Sequence, residues 1–255
     1  MAFFIIIQFN SIKINTVILD MDIQSKSVQE FVNIAENNGV IAITDAGVAP
    51  GLSNLIFGRE LSEYDHLDTV KCFVGGLPQN PQPPWLYKSV FSPIDVIEEY
   101  TRPARIIRNG EILTLAALSE RTKFNIEGRG EMEAFLTDGL RSVLNSIPAI
   151  EMSEYTIRWP GHIQRFIDER SAGILNEDKL SSEWQYDHKI PEFTWMEVKA
   201  EGLDESTMTW RVQDYGGDDG HSMARCTGMV TLCCIEEWLS DPDMLPPGVH
   251  APEAL

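Results

Sequence analysis

The sequence predicts a short α/β lead segment, a strand-rich α+β body and a C-terminal helix that returns after it. Three observations point there. A strand-helix-strand unit occupies roughly residues 14–44, which implies parallel pairing. From about residue 70 short apolar runs alternate with Pro- and Gly-rich turns, among them Asn109-Gly110, a strong two-residue hairpin signal. A long helical stretch, Ser222 to Leu239, follows the last strands. With 255 residues, 43% hydrophobic and 23% charged, the chain has a globular balance and room for one large domain or two small ones.

In order, Ile14 to Leu19 reads as a strand, and Ser25 to Asn38 as a helix with Val28, Phe31, Val32 and Ala35 on one face and Gly39 as its C-terminal cap. Val40 to Thr44 is the next strand. It runs into Asp45-Ala46-Gly47-Val48-Ala49-Pro50-Gly51-Leu52-Ser53-Asn54, after which Leu52, Leu55, Ile56 and Leu61 recur at helical spacing. Pro50 suits a first helical turn, Gly47 and Gly51 open backbone angles closed to other residues, and the helix N-terminus attracts an anion. The competing reading is an ordinary connection that needs glycine for its geometry.

Val70 to Val74 is a short strand, and four prolines make residues 78–84 a rigid loop. Ser92-Pro93 starts a helix that ends near Tyr100, with Ser92 as N-cap and Asp95 at the positive end. Ala104 to Arg108 and Ile112 to Leu115 flank the hairpin turn. The pattern then predicts a helix from about Glu131 to Ser146, with Phe135, Leu140, Val143 and Leu144 as its apolar set. Tyr155 to Trp159 is a strand stopped by Pro160-Gly161, and Ile163 to Ala172 a helix. Residues 176–191 read as loop. Phe193 to Ala200 and Thr207 to Val212 read as paired strands, residues 216–220 as a glycine loop and Pro246 to Leu255 as an extended tail.

A net charge of −19 leaves no basic surplus to neutralise phosphates, which argues against nucleic acid and against an anionic membrane surface. An anionic ligand would need local arginines to overcome a repulsive overall field. The apolar start, Met1 to Ile7, is too short to span a bilayer and lacks the marks of a signal peptide. Cys72, Cys226, Cys233 and Cys234 lack C-x-x-C spacing, so free thiols in a reducing cytoplasm are expected. His66, His162, His188, His221 and His250 are scattered without ligand spacing, so no metal site is expected. No G-x-S-x-G elbow, Walker loop or G-x-G-x-x-G is present.

The second candidate stretch is Thr156-Ile157-Arg158-Trp159-Pro160-Gly161-His162. A strand that stops at Pro-Gly delivers Arg158 and His162 to one sheet edge. There Arg158 offers a fork to a carboxylate and His162 a proton near neutral pH. The competing reading is a surface arginine and a helix-flanking histidine. Within the predicted helix at 131–146, Asp138 and Arg141 are spaced to pair with each other, and Gly139 hints at close packing. Glu98-Glu99-Tyr100 offers an acid and a phenol, or simply a solvated helix end.

Six stretches in this order resemble the saccharopine dehydrogenase family, especially its lysine dehydrogenase-like branch: Asp45 to Asn54, Gly75-Gly76-Leu77-Pro78, Phe91-Ser92-Pro93 with Glu99-Tyr100, Thr137 to Arg141, Thr156 to His162, and Gly248-Val249 with Pro252-Glu253. The resemblance covers residues 17–255. It implies a Rossmann-type parallel sheet, an inserted mixed-sheet substrate domain and a returning C-terminal helix. On that reading residues 1–45 are the end of the Rossmann-type domain, 46–215 the substrate and dimerisation domain, and 216–255 the returning segment. The resemblance also implies NAD(P)-dependent hydride transfer from a carbon bearing an amine, on an amino acid or secondary amine of the saccharopine or lysine type, in a cytoplasmic homodimer. By position it implies His162, Arg158 and Asp45 as catalytic residues. It places Arg141, Asp138, Tyr100 and Trp159 on the substrate, and Gly47, Pro50 and Gly51 on NAD or NADP. Because the glycine-rich phosphate motif is absent, the expectation is a chain that carries the substrate portion and is not active alone. The alternative is a non-catalytic binding or dimerisation module of the same origin.

Overall fold

The computed structural model describes residues 16–19, 26–64, 66–187, 189–218 and 220–255. Residues 14 and 15 of the first expected strand, the apolar start and His188 lie outside the described residues. In chain order the elements are β1 (Thr16–Leu19), α1 (Lys26–Asn38), β2 (Ile41–Thr44), α2 (Leu52–Glu63), β3 (Leu67–Pro78), α3 (Pro93–Glu99), β4 (Ala104–Arg108), β5 (Glu111–Leu115), β6 (Thr122–Ile126) and β7 (Gly130–Leu136). There follow α4 (Val143–Ser146), β8 (Ala149–Arg158), α5 (His162–Ser171), α6 (Glu177–Trp184), β9 (Glu192–Gly202), β10 (Thr207–Tyr215), α7 (Ser222–Ser240), β11 (Gly248–His250) and a short 3-10 turn, Pro252–Ala254. The fold is thus mixed α/β, with one parallel and one mixed sheet.

The chain forms two units. The first comprises residues 1–66, 140–148 and 227–255, the second residues 67–139 and 149–226. In the first unit β1, β2 and β11 make a three-stranded parallel sheet with β2 central, Ile41 lying opposite both Thr16 and Gly248. Parallel pairing follows because a helix, α1, links β1 to β2. Ile43, Ala46, Leu245 and the α7 residues Val230 and Cys234 form its core. Val230, Cys234 and Trp238 are spaced four apart, which puts them on one buried stripe of α7.

The second unit holds an eight-stranded sheet in the order β10-β9-β3-β8-β4-β5, with the β6–β7 hairpin attached through β7. β3 and β8 are parallel neighbours and the remaining pairs are antiparallel. β8 changes partner along its length: Met152 pairs with Ile107 of β4, whereas Tyr155 to Arg158 pair with Leu136 to Glu133 of β7. This exchange carries Arg158 to the end of a strand flanked on both sides. The Asn109-Gly110 turn between β4 and β5 has both residues at positive φ, 51° and 76°, as a two-residue hairpin requires.

Several expectations are corrected. The stretch expected as one helix from Glu131 to Ser146 is instead strand β7, a loop and the single turn α4. Met132, Ala134 and Leu136 alternate inward from β7, and strand pairing with β8 overrides the helical propensity of Glu, Met, Ala and Leu. Asp138 and Arg141 therefore do not face each other across a helical turn, and Arg141 takes φ 54°. The polar stretch 176–191, expected as loop, contains α6. Asn176 caps it by accepting from the Lys179 N–H at 2.8 Å, and Leu180 and Trp184 bury one face. The short strand at 70–74 is the middle of a twelve-residue strand, β3.

Candidate functional site

Arg158, Tyr100 and His162 meet inside the second unit. Arg158 ends β8, Tyr100 follows α3, and His162 opens α5 after Gly161, whose φ of 97° turns the chain. All three side chains are buried. Arg158 Nε donates to the Tyr100 hydroxyl at 2.7 Å, and Arg158 Nη1 donates to the Ile157 carbonyl at 2.9 Å. The Tyr100 oxygen lies 3.0 Å from His162 Nε2, and His162 Nδ1 lies 2.7 Å from the Trp85 carbonyl oxygen. A carbonyl only accepts, so the proton of His162 sits on Nδ1. Nε2 then accepts from the tyrosine hydroxyl, and the chain Arg158 to Tyr100 to His162 to Trp85 is satisfied at each link.

The electrostatics follow from enclosure. Burial pulls the His162 pKa down to about 3, and the Arg158 cation adds to this, so the imidazole is neutral across the physiological range. Burial pushes the Tyr100 phenol well above its ordinary value despite the pull of Arg158, so it stays a donor. Arg158 itself lies under aromatic rings, 4.5 Å from the Tyr87 centroid and 5.6 Å from that of Tyr100. Its nearest carboxylate is Glu99, whose Oε2 is 3.8 Å from Nη2, beyond hydrogen-bond reach. Among the described residues the Nη2 edge of this buried guanidinium makes no hydrogen bond. Trp184 packs edge-on against Trp85, Tyr87 and Tyr100 and closes the cluster.

The structure thus joins Tyr100, Arg158 and His162 with Glu99 nearby, and adds Tyr87, Trp85 and Trp184. Tyr87, Trp85 and Trp184 were missed because their spacing carries no motif; the aromatic density near the proline loop was the available signal. Burial and the Arg158 cation hold His162 neutral where the sequence suggests a proton exchanged near neutral pH. Trp159 points its indole N–H to the Pro78 carbonyl at 2.9 Å and packs near Phe193. Asp138 is bound instead to Arg105: Oδ1 accepts from Nε and from the backbone N–H, and Oδ2 from Nη2, at 2.9 to 3.0 Å. Gly139 is forced by contact, since a Cβ there would lie 1.7 Å from Glu154 Oε1.

Asp45, Gly47, Pro50, Gly51 and Arg141 belong to the first unit. Asp45 is buried with φ 54°. The Gly47–Gly51 turn closes on itself. The Leu52 and Ser53 N–H groups donate to the Gly47 and Val48 carbonyls at 2.9 and 3.0 Å, and the Gly51 N–H to Asn54 Oδ1 at 3.1 Å. The open N–H groups expected for an anion are therefore taken, because the loop folds its own carbonyls under the start of α2. Gly51, at φ 133°, is the N-cap, and Pro50 precedes the helix instead of lying in its first turn. A Cβ on Gly51 would lie 2.0 Å from the Gly47 oxygen, and one on Gly47 would lie 2.9 Å from the Pro50 oxygen. No group of three or more His, Cys, Asp or Glu suited to a metal ion occurs among the described residues, and no described helix is long and apolar enough to cross a membrane.

The model of the saccharopine dehydrogenase C-terminal domain matches residues 47–255. Among solved structures, the apo histidine-tagged saccharopine dehydrogenase (L-Glu forming) from Saccharomyces cerevisiae superposes with a TM-score of 0.70 at 17% identity, covering 94% of this chain and 75% of that one. At that identity the superposition speaks for the fold. The family match extends over most of the sequence, from the glycine turn to the last residue, and on it the chain belongs to the saccharopine dehydrogenase family.

Proposed function

We propose that this chain provides the amino-acid-binding part of an NAD(P)-dependent oxidoreductase that acts on the C–N bond of an amino acid or secondary amine of the saccharopine or lysine type. The observation that carries this is Arg158. A buried guanidinium is costly unless its charge is met. Here Tyr100 holds one nitrogen, Ile157 a second, and Glu99 stays at 3.8 Å, which leaves the Nη2 edge for a ligand carboxylate. His162 acts as a positioning residue: neutral and fixed by the Trp85 carbonyl, it orients the Tyr100 hydroxyl that orients Arg158.

The experiment is calorimetric titration of the purified chain with saccharopine, L-lysine and glutarate. Carboxylate-bearing ligands are expected to bind. Arg158→Lys keeps the charge but loses the planar fork, and should weaken binding about tenfold or more, beyond the fall in melting temperature that loss of its buried bonds to Tyr100 and Ile157 brings. Tyr100→Phe should weaken it less. Equal affinity in both variants and the unaltered chain would exclude Arg158 as the anchor.

A second reading, a non-catalytic binding or dimerisation module, is favoured by the self-bonded Gly47–Gly51 turn, whose Gly51, Leu52 and Ser53 N–H groups are already taken. NAD(P)H fluorescence titration separates the two: saturable binding by this chain supports the enzyme. The homodimer reading draws support from β10, an edge strand that exposes Met208, Trp210 and Tyr215.

A further inference from the structure

Away from the Arg158 cluster, the second unit carries a groove of about 460 Å³ lined by Asn125, Glu127 and Gly128 at the β6–β7 turn, Trp195 and Glu197 on β9, and Arg211 on β10. That volume suits a small molecule. Trp195 and Glu197 are two apart on β9 and so share a face, and Arg211 stands directly opposite Glu197 in the ladder. Both Trp195 and Glu197 are buried, whereas Asn125, Glu127 and Gly128 form an exposed rim.

The charges are arranged unevenly. Glu197 Oε2 accepts from Arg211 Nε at 2.5 Å, and Lys199 Nζ lies 2.8 Å from Glu197 Oε1, so Glu197 is fully matched. Arg211 is tied down at Nε alone; its two terminal nitrogens make no bond among the described residues. Glu127 makes no ion pair there either, yet it is near enough to act electrostatically on Arg211. Asn125 likewise keeps its side-chain amide unbonded. A cation and a carboxylate thus border one cavity without touching, above an indole.

We propose that this groove binds a free α-amino acid as its zwitterion: the ligand carboxylate on the terminal nitrogens of Arg211, its ammonium on Glu127 with the Asn125 amide, and its side chain against Trp195. A ligand with one of the two charges leaves the other wall unmatched, and both charges are needed for affinity. The site is separate from Arg158 and does not rest on the function proposed for it.

The test is titration of the full chain with L-norleucine, hexanoate and n-pentylamine, which share an aliphatic body and differ in charged groups. Binding is read by calorimetry and by fluorine NMR of 5-fluorotryptophan-labelled protein, the Trp195 signal being assigned with Trp195→Phe. Norleucine is expected to saturate and to shift the Trp195 resonance, with the two single-charge ligands at least about tenfold weaker. Glu127→Gln and Arg211→Gln should each weaken norleucine by about tenfold; the melting temperature should hold in Glu127→Gln and fall in Arg211→Gln, which takes one of two cations from buried Glu197. Equal binding of all three ligands, no binding of norleucine, or loss of binding in Arg158→Lys but not in Glu127→Gln and Arg211→Gln would overturn the proposal.

Discussion

A histidine enclosed without a carboxylate partner couples folding to pH. In the folded chain burial, aided by Arg158, holds the His162 pKa near 3, whereas in the unfolded chain it returns to about 6.5. Between those values the unfolded state binds more protons, so stability is complete above the unfolded value and is lost as pH falls toward 3. At about 1.4 kcal/mol per pH unit the limit is roughly 4 to 5 kcal/mol. The urea midpoint should fall as pH is lowered from 7 to 4, and His162→Gln should flatten that dependence. An identical slope in the variant would show that other groups carry it. Asp138 makes a second case at this scale. Its carboxylate is buried and takes three donors from Arg105, and Arg102 lies 3.6 Å away. Asp138→Ala leaves a half-enclosed cation behind and should cost about 2 to 3 kcal/mol by chemical denaturation.

At the scale of elements, glycines at positive φ serve different ends. Gly51 sits at φ 133° with the Gly47 oxygen where its Cβ would be, so Gly51→Ala should destabilise by roughly 2 kcal/mol or more. Gly128, at φ 76° with nothing within 4 Å, should cost only the left-handed penalty of about 1 kcal/mol. Comparable melting temperatures for the two alanine variants would contradict the contact argument. The same contrast explains what was legible in advance. Elements whose signal is local are legible: the Asn109-Gly110 hairpin, the paired strands β9 and β10, and helix α7. Stretch 131–146 reads as a helix because the residues that make β7 a strand lie in β8. Its own Glu, Met, Ala and Leu favour a helix, and only the alternation of Met132, Ala134 and Leu136 hinted otherwise. The site was half legible for the same reason. Arg158, His162 and Tyr100 stood in recognisable stretches, whereas Tyr87 and Trp184 reach the cluster through tertiary packing that has no sequence spacing.

For the whole molecule the governing quantity is charge. The chain has a net charge of −19, and the Arg158 cluster is proposed to take a carboxylate. The two effects act over different ranges. The field of the whole chain is long-ranged and repels an anion at low salt, when the Debye length is about 30 Å, and is largely screened at 0.15 M, when it is about 8 Å. The proposed contact with buried Arg158 would be short and shielded from ions, so salt would weaken it little. Raising ionic strength from 10 to 150 mM should therefore speed the association of glutarate several-fold, with dissociation nearly constant. This inverts the usual behaviour of an arginine site approached by an anion. Stopped-flow tryptophan fluorescence at several salt concentrations gives both rates. A zwitterion such as norleucine, with no net charge, should show almost no salt dependence on the same protein. If glutarate instead associates more slowly as salt rises, the field at the entrance is positive, and local arginines rather than the acidic surface govern the approach of ligand.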